Sequence, residues 1–312
     1  MSVQALERTR PGGADGPSPS PWRRFRSMLA NPWGKPRFLG VFTVAYLLWS
    51  IVPVAIAVLF SFNSGRSRST FQGFSLRWYT WDPLSVLHDE TLRGALAQSI
   101  KLSVITMLIA VPLGTAFAIG LDRWRGRTSG TSNFLMLFSF VTPEIIMGVS
   151  LFLVFAKLLV FVPLGTGAQL LGLITFEMAY PVIIVRARLL SIGRQYEEAA
   201  MDLGATPTQS LRLALLPLLL PAIIASFMLV FADTFDDFII ARYLSSNAST
   251  ETVPIRIYDT ARGAATPALN ALASLMLFST MLAIGAGYLV YRYLTKGERG
   301  DASGLESFAA QL

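Results

Sequence analysis

Cysteine is absent from the 312 residues of this chain, and the only histidine is His88. Without thiols the chain forms neither disulfides nor thiolate metal sites, and a single histidine excludes a histidine-based metal cluster or catalytic site. No segment reads G-x4-G-K-[ST], so the chain has no P-loop for ATP. We therefore expect no metal site and no catalytic residues in this chain, and any ATP chemistry must come from another chain.

Charged residues are also scarce, at 14% of the chain, whereas hydrophobic residues make up 53%. Soluble domains carry about a quarter charged residues, and the apolar residues here gather in runs long enough to cross a bilayer. The sequence therefore predicts an all-α, polytopic membrane domain over residues 38–295, built as a six-helix transmembrane bundle. The predicted spans are 38–62, 97–121, 134–161, 168–185, 215–239 and 269–294.

The two ends of the chain lack such runs. Residues 1–37 are rich in Pro, Gly, Ser and Arg, which predicts a partly disordered tail, and residues 296–312 form a second tail. Basic residues cluster before the first span and after the second, fourth and sixth. Because cytoplasmic loops carry an excess of Lys and Arg, we expect both tails in the cytoplasm and the chain in a bacterial inner membrane. The net charge of +7 then favours contact with membrane lipid rather than nucleic acid.

The segment 197–221 is polar and helix-prone, and it lies between two apolar runs. Residues 197–203 are good helix formers, and Gly204 suits the left-handed position that ends a helix. Thr206, Pro207 and Gln209 then suit the start of a second helix, as N-cap, first helical residue and capping-box partner. The pattern predicts a short surface helix, a turn, and a second helix that leads into the fifth span.

This segment resembles the EAA loop of ABC-importer membrane subunits, of form E-A-A-x3-G-x9-I-x-L-P, with Ala214 in place of the Ile. The resemblance places the loop at about residues 191–217 and implies that its first helix docks on a cytoplasmic ATPase. The residues that it implies for this coupling are Glu197, Glu198, Ala199, Ala200, Asp202, Gly204 and Pro217. It further implies two copies of the ATPase, which would bind ATP and Mg²⁺, so that this chain would hold no cofactor.

Further stretches resemble the spermidine/putrescine (polyamine) subfamily of these permeases, among them 61–64, 73–79, 142–145, 235–238 and 253–258. The resemblance covers residues 38–295 and implies the type I importer (MetI-like) permease fold, in a transporter subunit that is not an enzyme. It also implies a second homologous permease subunit, with which this chain would form a heterodimer, and an external substrate-binding protein. Glu177 departs from the pattern, since that position is usually apolar or small.

Five carboxylic residues fall inside the predicted spans, where each costs about 3 kcal/mol to insert and normally faces an interior cavity. Asp233, Asp236 and Asp237 share one helical face near the outer end of the fifth span, whereas Glu144 and Glu177 fall near mid-bilayer in the third and fourth. This spacing predicts an acidic outer vestibule above a second acidic layer, which would attract an amine cation. With two aromatic residues that could contact an ammonium, the predicted substrate pathway comprises Asp233, Asp236, Asp237, Glu144, Glu177, Tyr180 and Tyr258.

Simpler roles remain open for the same residues. Asp236 or Asp237 could cap the end of the fifth-span helix or face solvent, and Glu144 could hydrogen-bond a neighbouring helix. Glu177 could be protonated or pair with an Arg of a partner subunit. The alternatives in function are an ABC importer for Fe³⁺ or an organic anion, and an ATPase-independent secondary carrier or channel. An intramembrane hydrolase would require the carboxylates to converge, whereas the sequence predicts that they lie at different depths.

The predicted external loop 63–96 is polar but carries Trp78, Tyr79 and Trp81. Two interpretations of these aromatic residues remain open. They could form an interfacial belt at the membrane surface, or they could belong to a surface that meets an external binding protein.

Overall fold

The computed structural model describes residues 37–67, 69–123, 140–262 and 266–294, together with the isolated positions 22, 131, 134 and 138. Most of the two predicted tails, and most of the first part of the predicted third span, lie outside the described residues. Within the described ranges the chain is almost entirely helical, and an isolated bridge between Asn63 and Phe74 is the only β-type pairing. The predicted all-α class is confirmed.

The helices follow one another with short connections. Their bounds are α1 Arg37–Ser61, α2 Glu90–Arg123, α3 Glu144–Leu153, α4 Thr166–Glu177, α5 Ala179–Ile192, α6 Gln195–Asp202, α7 Leu216–Asp236, α8 Ile239–Leu244, α9 Val253–Ala261 and α10 Pro267–Leu294. Two π-helical stretches, Val154–Leu158 and Ser210–Leu215, extend α3 and precede α7.

The chain divides into two compact units, Met1–Ala55 and Ile56–Leu312. The described part of the first unit is the α1 helix up to Ala55, an apolar run that includes Pro53. All helices from α2 onward belong to the second unit, as do the core, the cavities and the loops described below.

Among the described residues, five segments are long and apolar enough to cross a membrane: Leu39–Ser61, Glu90–Arg123, Thr166–Ile192, Pro207–Asp236 and Pro267–Leu294. They correspond to the predicted first, second, fourth, fifth and sixth spans. Of the predicted third span, the structure describes mainly the helical stretch Glu144–Leu153 and the π-helix that continues it. The described residues are therefore consistent with six spans and account fully for five.

The long helix α2 runs the length of the second unit and defines its two ends. At one end, which we call the loop end, α2 follows the connection 62–89; at the other, the α6 end, its last residue Arg123 meets α6. The core at the loop end surrounds Trp78, Phe235 and Leu272, whereas the core at the α6 end surrounds Leu189 and Leu215. Both cores consist of residues from α2, α7 and their neighbours, so these two helices form the centre of the unit.

Buried amides join α2 to the helices at the loop end. The side chain of Gln98 donates to the Oε1 atom of Gln169 over 2.9 Å, and Gln169 donates in turn to the backbone oxygens of Ala241 and Thr250, also over 2.9 Å. The hydroxyl of Ser99 accepts the N–H of Val253, the first residue of α9, over 2.9 Å. Because buried polar groups are costly unless paired, these bonds fix α4, α8 and α9 against α2.

The loop between α1 and α2 is a folded element built around Asn63. The Asn63 side chain accepts the Gln72 N–H over 2.8 Å and donates to the backbone oxygens of Ser67 and Thr70, each over 3.1 Å. The Trp78 indole N–H donates to the Asn63 backbone oxygen over 2.6 Å, and the ring is fully buried. For Trp78 both interpretations of the aromatic cluster are therefore wrong, because its ring lies in the protein core.

Glycine permits close approach of helices at several positions. A Cβ atom on Gly114 would lie 2.5 Å from Cγ of Pro181, one on Gly148 would lie 2.9 Å from Cδ2 of Tyr243, and one on Gly287 would lie 2.3 Å from Sδ of Met228.

Candidate functional site

Three helical breaks lie around the predicted acidic residues. The helix before α3 ends at the Thr142–Pro143 step, and α3 begins at Glu144. Between α4 and α5 the break falls at Met178, where Pro181 has no N–H for the carbonyl of Glu177. Helix α7 ends at Asp236, and the chain continues as the short helix α8. Breaks of this kind are tolerated at membrane depth where they line a cavity or are covered by protein.

A cavity of about 330 Å³ lies where these breaks meet. Its lining comes from α3, α4, α5, α7 and the start of α8, and it contains four of the five predicted carboxylates. The lining residues are Glu144, Phe176, Tyr180, Asp233, Asp236, Asp237, Phe238 and Ile239. None of these residues is basic, so the lining presents carboxylates and aromatic rings together.

Asp237 serves the backbone as well as the cavity. It is 8% exposed, and its Oδ1 atom accepts the N–H of Ala241 over 2.7 Å, which satisfies a donor in the first turn of α8. Glu144 lines the same cavity as Asp237. The simpler role considered for Asp237 was to cap the end of the fifth-span helix, whereas in the structure it caps the start of the next helix, α8.

Glu177 lies behind the cavity lining and is only 1% exposed. Its carboxyl lies near Asp233 and Thr234 of helix α7 and near Asp237, the residue after α7. No described residue provides a basic partner for this carboxyl in an ion pair. Glu177 therefore adds a fifth acidic group to the α7 side of the site.

The aromatic residues of the cavity contact one another at their edges. Tyr180 meets Phe140 with ring centroids 5.7 Å apart and Phe176 with centroids 6.3 Å apart, both edge-on. Its hydroxyl lies near Asp233, which lines the same cavity. The ring edges are thus packed, and the hydroxyl is close to a carboxylate.

The five carboxylates form one cluster instead of two separate layers. Asp233, Asp236 and Asp237 lie at the break that ends α7, and the breaks at Glu144 and Glu177 meet them there. The prediction of an outer vestibule above a distinct second layer is therefore wrong, and so is the argument that the carboxylates lie too far apart in depth to converge. Position along each span was predicted, and the resemblance at 235–238 implied a turn at the end of the fifth span, but the convergence of the three breaks on one cavity was not predicted.

A second cavity, of about 510 Å³, adjoins the first at α7. Asp233 and Asp236 line both cavities, and most other residues of the second are apolar, among them Leu229, Met276 and Leu277. The two aspartates therefore stand between an acidic aromatic chamber and a mainly apolar one.

The loop predicted to face an ATPase has the predicted local structure. Helix α6 ends at Asp202, and Gly204 has φ +90°, in the left-handed region. Thr206 accepts the N–H of Gln209 over 3.3 Å, and Gln209 accepts the N–H of Thr206 over 2.8 Å, so the capping box is present. The helix–turn–helix prediction is confirmed, with the difference that the second helix passes through the π-helix Ser210–Leu215 before α7 begins.

Helix α6 presents apolar side chains to the surroundings. None of its residues is buried, and Tyr196 and Met201 are exposed, as is Leu203, whose exposed fraction is 91%. Glu198 is exposed on the same helix, whereas the carboxylate of Glu197 is paired with the guanidinium of Arg123. An exposed helix with apolar and acidic side chains is suited to a protein partner.

Comparison with known families shows what kind of protein carries these two features. Residues 110–300 match the family described as binding-protein-dependent transport system inner membrane component. The matched stretch includes both the acidic cavity and the α6 loop. This chain belongs to that family.

Several named relatives of this inner membrane component are polyamine permeases. The chain is 32% identical over 278 residues to the putrescine transport system permease protein PotI of Escherichia coli K12, covering 87% of this chain and 94% of that one. It is 31% identical over 262 residues to the spermidine/putrescine transport system permease protein PotC of the same strain, covering 84% and 97%. The chain is accordingly a transport component and not an enzyme.

Solved structures of ABC transporters share the fold of this inner membrane component. A bacterial alginate ABC transporter, in complex with an alginate pentasaccharide-bound periplasmic protein, superposes with a TM-score of 0.64 at 15% identity, covering 88% of this chain and 98% of that chain. The MetNI methionine ABC transporter gives a TM-score of 0.55 at 20% identity, covering 65% and 94%. At these identities the likeness concerns the fold, and it agrees with the predicted MetI-like permease architecture.

Tyr258 is the one predicted pathway residue that lies outside the acidic cluster. Its ring contacts Phe238 with centroids 4.8 Å apart, and the guanidinium of Arg262 lies 4.3 Å from its centroid and bonds its hydroxyl. One cation therefore already occupies a face of this ring. A role for Tyr258 in the pathway stays a prediction.

Sequence reasoning missed two residues that belong to these features. Thr234, buried beside Glu177, is an inconspicuous residue inside an apolar run, and only the placement of the neighbouring acids in space draws attention to it. Arg123 was read as one basic residue among several at the end of the second span, although it pairs with the α6 loop. The opposite charges of Arg123 and Glu197 were the only signal for this pair, and opposite charge alone does not distinguish Glu197 from the other acidic residues.

Proposed function

We propose that this inner membrane component is the permease subunit of an ATP-driven importer that carries polyamines, delivered by an external binding protein. The observation that carries the proposal is the convergence of five carboxylates, with aromatic rings and no basic lining residue, at the broken helices. Such a cluster attracts a cation, and aromatic faces add to the attraction for an ammonium group. The names of the relatives PotI and PotC support the same substrate class.

The second cavity supports an organic amine over a metal ion. Polyamines alternate ammonium groups with methylene chains, and the chamber beyond Asp233 and Asp236 is mainly apolar. The carboxylates share their cavity with aromatic rings, and among the described residues no group of three or more acidic or histidine side chains is close enough together to hold one metal ion. The carboxylates disfavour an organic anion, because like charges repel.

Energy would come from a separate ATPase that docks on α6. An ATP-driven permease without a P-loop would need such a partner, and the exposed side chains of Tyr196, Met201 and Leu203 offer a surface for it. We propose two ATPase copies, which bind ATP and Mg²⁺, and a second homologous permease subunit. In this arrangement both tails and α6 face the cytoplasm, while residues 62–89 face the binding protein.

The test uses the complete complex in proteoliposomes, with ATPase, sister permease and binding protein. We expect Asp233→Asn with Asp236→Asn to lower ATP-driven uptake of labelled putrescine by about tenfold or more, which corresponds to about 1.4 kcal/mol. Asp259→Asn is the matched control, because Asp259 is exposed and pairs with Arg242 away from the cavity. Unchanged uptake in the double variant would overturn the cation pathway, and a gain in transport of an organic anion would favour the anion alternative.

A further inference from the structure

Helix α6 lies between two turns that each contain a glycine with positive φ. Gly193, before the helix, has φ +73°, and Gly204, after it, has φ +90°. No residue of α6 is buried, so apolar packing contributes little to its orientation. Because glycine is conformationally permissive, the backbone alone sets the angle between α6 and the rest of the unit only weakly.

Polar contacts, most of them at the end of α2, hold α6 in its orientation. The guanidinium of Arg123 pairs with the carboxylates of Glu197 and Asp122. The guanidinium of Arg194 donates to the backbone oxygen of Asp122 over 3.0 Å, and the hydroxyl of Ser210 donates to the backbone oxygen of Glu197 over 3.1 Å. Only 22% of the Arg123 side chain and 16% of the Glu197 side chain are exposed, so solvent screens this pair less than a surface pair.

We propose that Arg123 and Glu197 form a latch that couples the movement of α6 directly to α2, with Arg123 as a positioning residue. The two neighbouring glutamates then have different roles. Glu198 is exposed for a partner, whereas Glu197 acts inside the chain through Arg123. This inference rests on the proposed function, since it concerns how force from the ATPase enters the bundle.

The latch joins α6 to α2 directly, in addition to the backbone connections of α6. Through the backbone, α6 is joined to α5 and, by way of the π-helix Ser210–Leu215, to α7. Through the latch it is joined to α2, whose other end holds α4 and α9 by means of Gln98 and Ser99. A displacement of α6 therefore reaches a third helix that lies against the elements around the acidic cavity.

The decisive measurement is putrescine uptake per ATP hydrolysed, in the complete reconstituted complex. We expect Arg123→Gln and Glu197→Gln each to lower this ratio by about fivefold, since coupled residues in contact typically interact by such amounts. Arg123→Lys should lose less, and the exchange Arg123→Glu with Glu197→Arg should recover much of the ratio. Arg212→Gln, which removes an exposed arginine from the same loop, is the matched control and should leave the ratio unchanged.

The outcomes separate the latch from the proposed function. If the wild-type complex shows no ATP-driven uptake, the proposed function fails and the latch falls with it. If the wild type transports but both single variants keep its uptake per ATP, the latch is wrong and the proposed function stands. Failure of the charge exchange to recover the ratio would likewise overturn the latch, provided that the complex assembles on size-exclusion chromatography.

The lack of cysteine permits a second measurement that does not depend on transport. Arg123→Cys with Glu197→Cys would introduce the only thiols of this chain. We expect rapid cross-linking of this pair by a short bifunctional thiol reagent, and little cross-linking of Arg123→Cys with Glu198→Cys, whose side chain is exposed. Equal cross-linking of the two pairs would contradict the placement of Glu197 against α2.

Discussion

At the scale of single residues, Asp237 shows how one carboxylate can satisfy the backbone and line a cavity at the same time. Its acceptance of the Ala241 N–H over 2.7 Å explains why a helix can restart immediately after α7 ends. Asp237 therefore contributes both to the acidity of the cavity and to the helix break. A substitution that removes the charge need not remove the cap.

We expect Asp237→Ala to destabilise the protein by about 1 kcal/mol, the usual effect of losing a capping side chain. Asp237→Asn should cost much less, because the amide oxygen can accept the same N–H. Thermal unfolding of the purified protein in detergent measures the difference. Equal losses of stability in the two variants would show that the cap contributes nothing.

Asp82, in the loop between α1 and α2, makes stability depend on pH. Burial raises the pKa of its carboxyl, but the hydrogen bond from the Leu84 N–H and the Arg77 guanidinium outweigh burial, so the pKa lies below its usual value of 3.8. A group with a lowered pKa in the folded state stabilises the fold above the unfolded-state pKa, and this stabilisation is lost as pH falls through the folded-state pKa.

We therefore expect the unfolding temperature to fall as the pH is lowered from about 5 to about 3. In Asp82→Asn this fall should be shallower, since the variant lacks the titrating carboxyl, and its stability at neutral pH should be lower than that of the wild type. Differential scanning fluorimetry across this pH range provides the measurement. Parallel pH curves for the two proteins would contradict the assignment to Asp82.

At the scale of elements, the loop 62–89 has its own buried anchor. Trp78 is 0% exposed, whereas Trp81, three residues later, is 63% exposed. We expect Trp78→Ala to cost about 3–5 kcal/mol, as for other large buried aromatic residues, and Trp81→Ala to leave thermal stability nearly unchanged. The two variants form a matched pair for unfolding experiments, and similar stability losses would show that Trp78 is not the anchor.

The Gly204 turn is required by backbone conformation and not by space. A Cβ atom there would meet nothing within 4 Å, but φ is +90°. Gly204→Val should therefore reduce ATP-driven uptake and Gly204→Asn should reduce it less, because asparagine tolerates positive φ better than a β-branched residue does. Equal activity of both variants in the reconstituted complex would mean that α6 tolerates another turn.

Local structure was predictable from the sequence where adjacent residues determine it. Gly204, Thr206 and Gln209 specified a turn and a capping box that the structure contains, and the apolar runs specified the spans. The pairing of Arg123 with Glu197 was not predictable, because it depends on how two distant helices are rotated toward each other. The same limit explains why one acidic cluster was predicted as two layers.

At the scale of the whole molecule, the family assignment establishes an inner membrane component, and the charge pattern predicts the direction of the chain across the membrane. Basic residues cluster in the tails and at the α6 end, so we expect α6 on the cytoplasmic side and the loop 62–89 outside. The proposed roles of both features depend on this orientation, since an ATPase and a binding protein lie on opposite sides of the membrane.

Single cysteines can test this orientation without background, because the parent chain has none. In intact spheroplasts, a membrane-impermeant maleimide should label Trp81→Cys but not Leu203→Cys, whose positions are 63% and 91% exposed. After lysis, and without the ATPase subunit, Leu203→Cys should also react, and adding the ATPase should protect it. Labelling of Leu203→Cys in intact spheroplasts would reverse the orientation, and no ATPase could then reach α6.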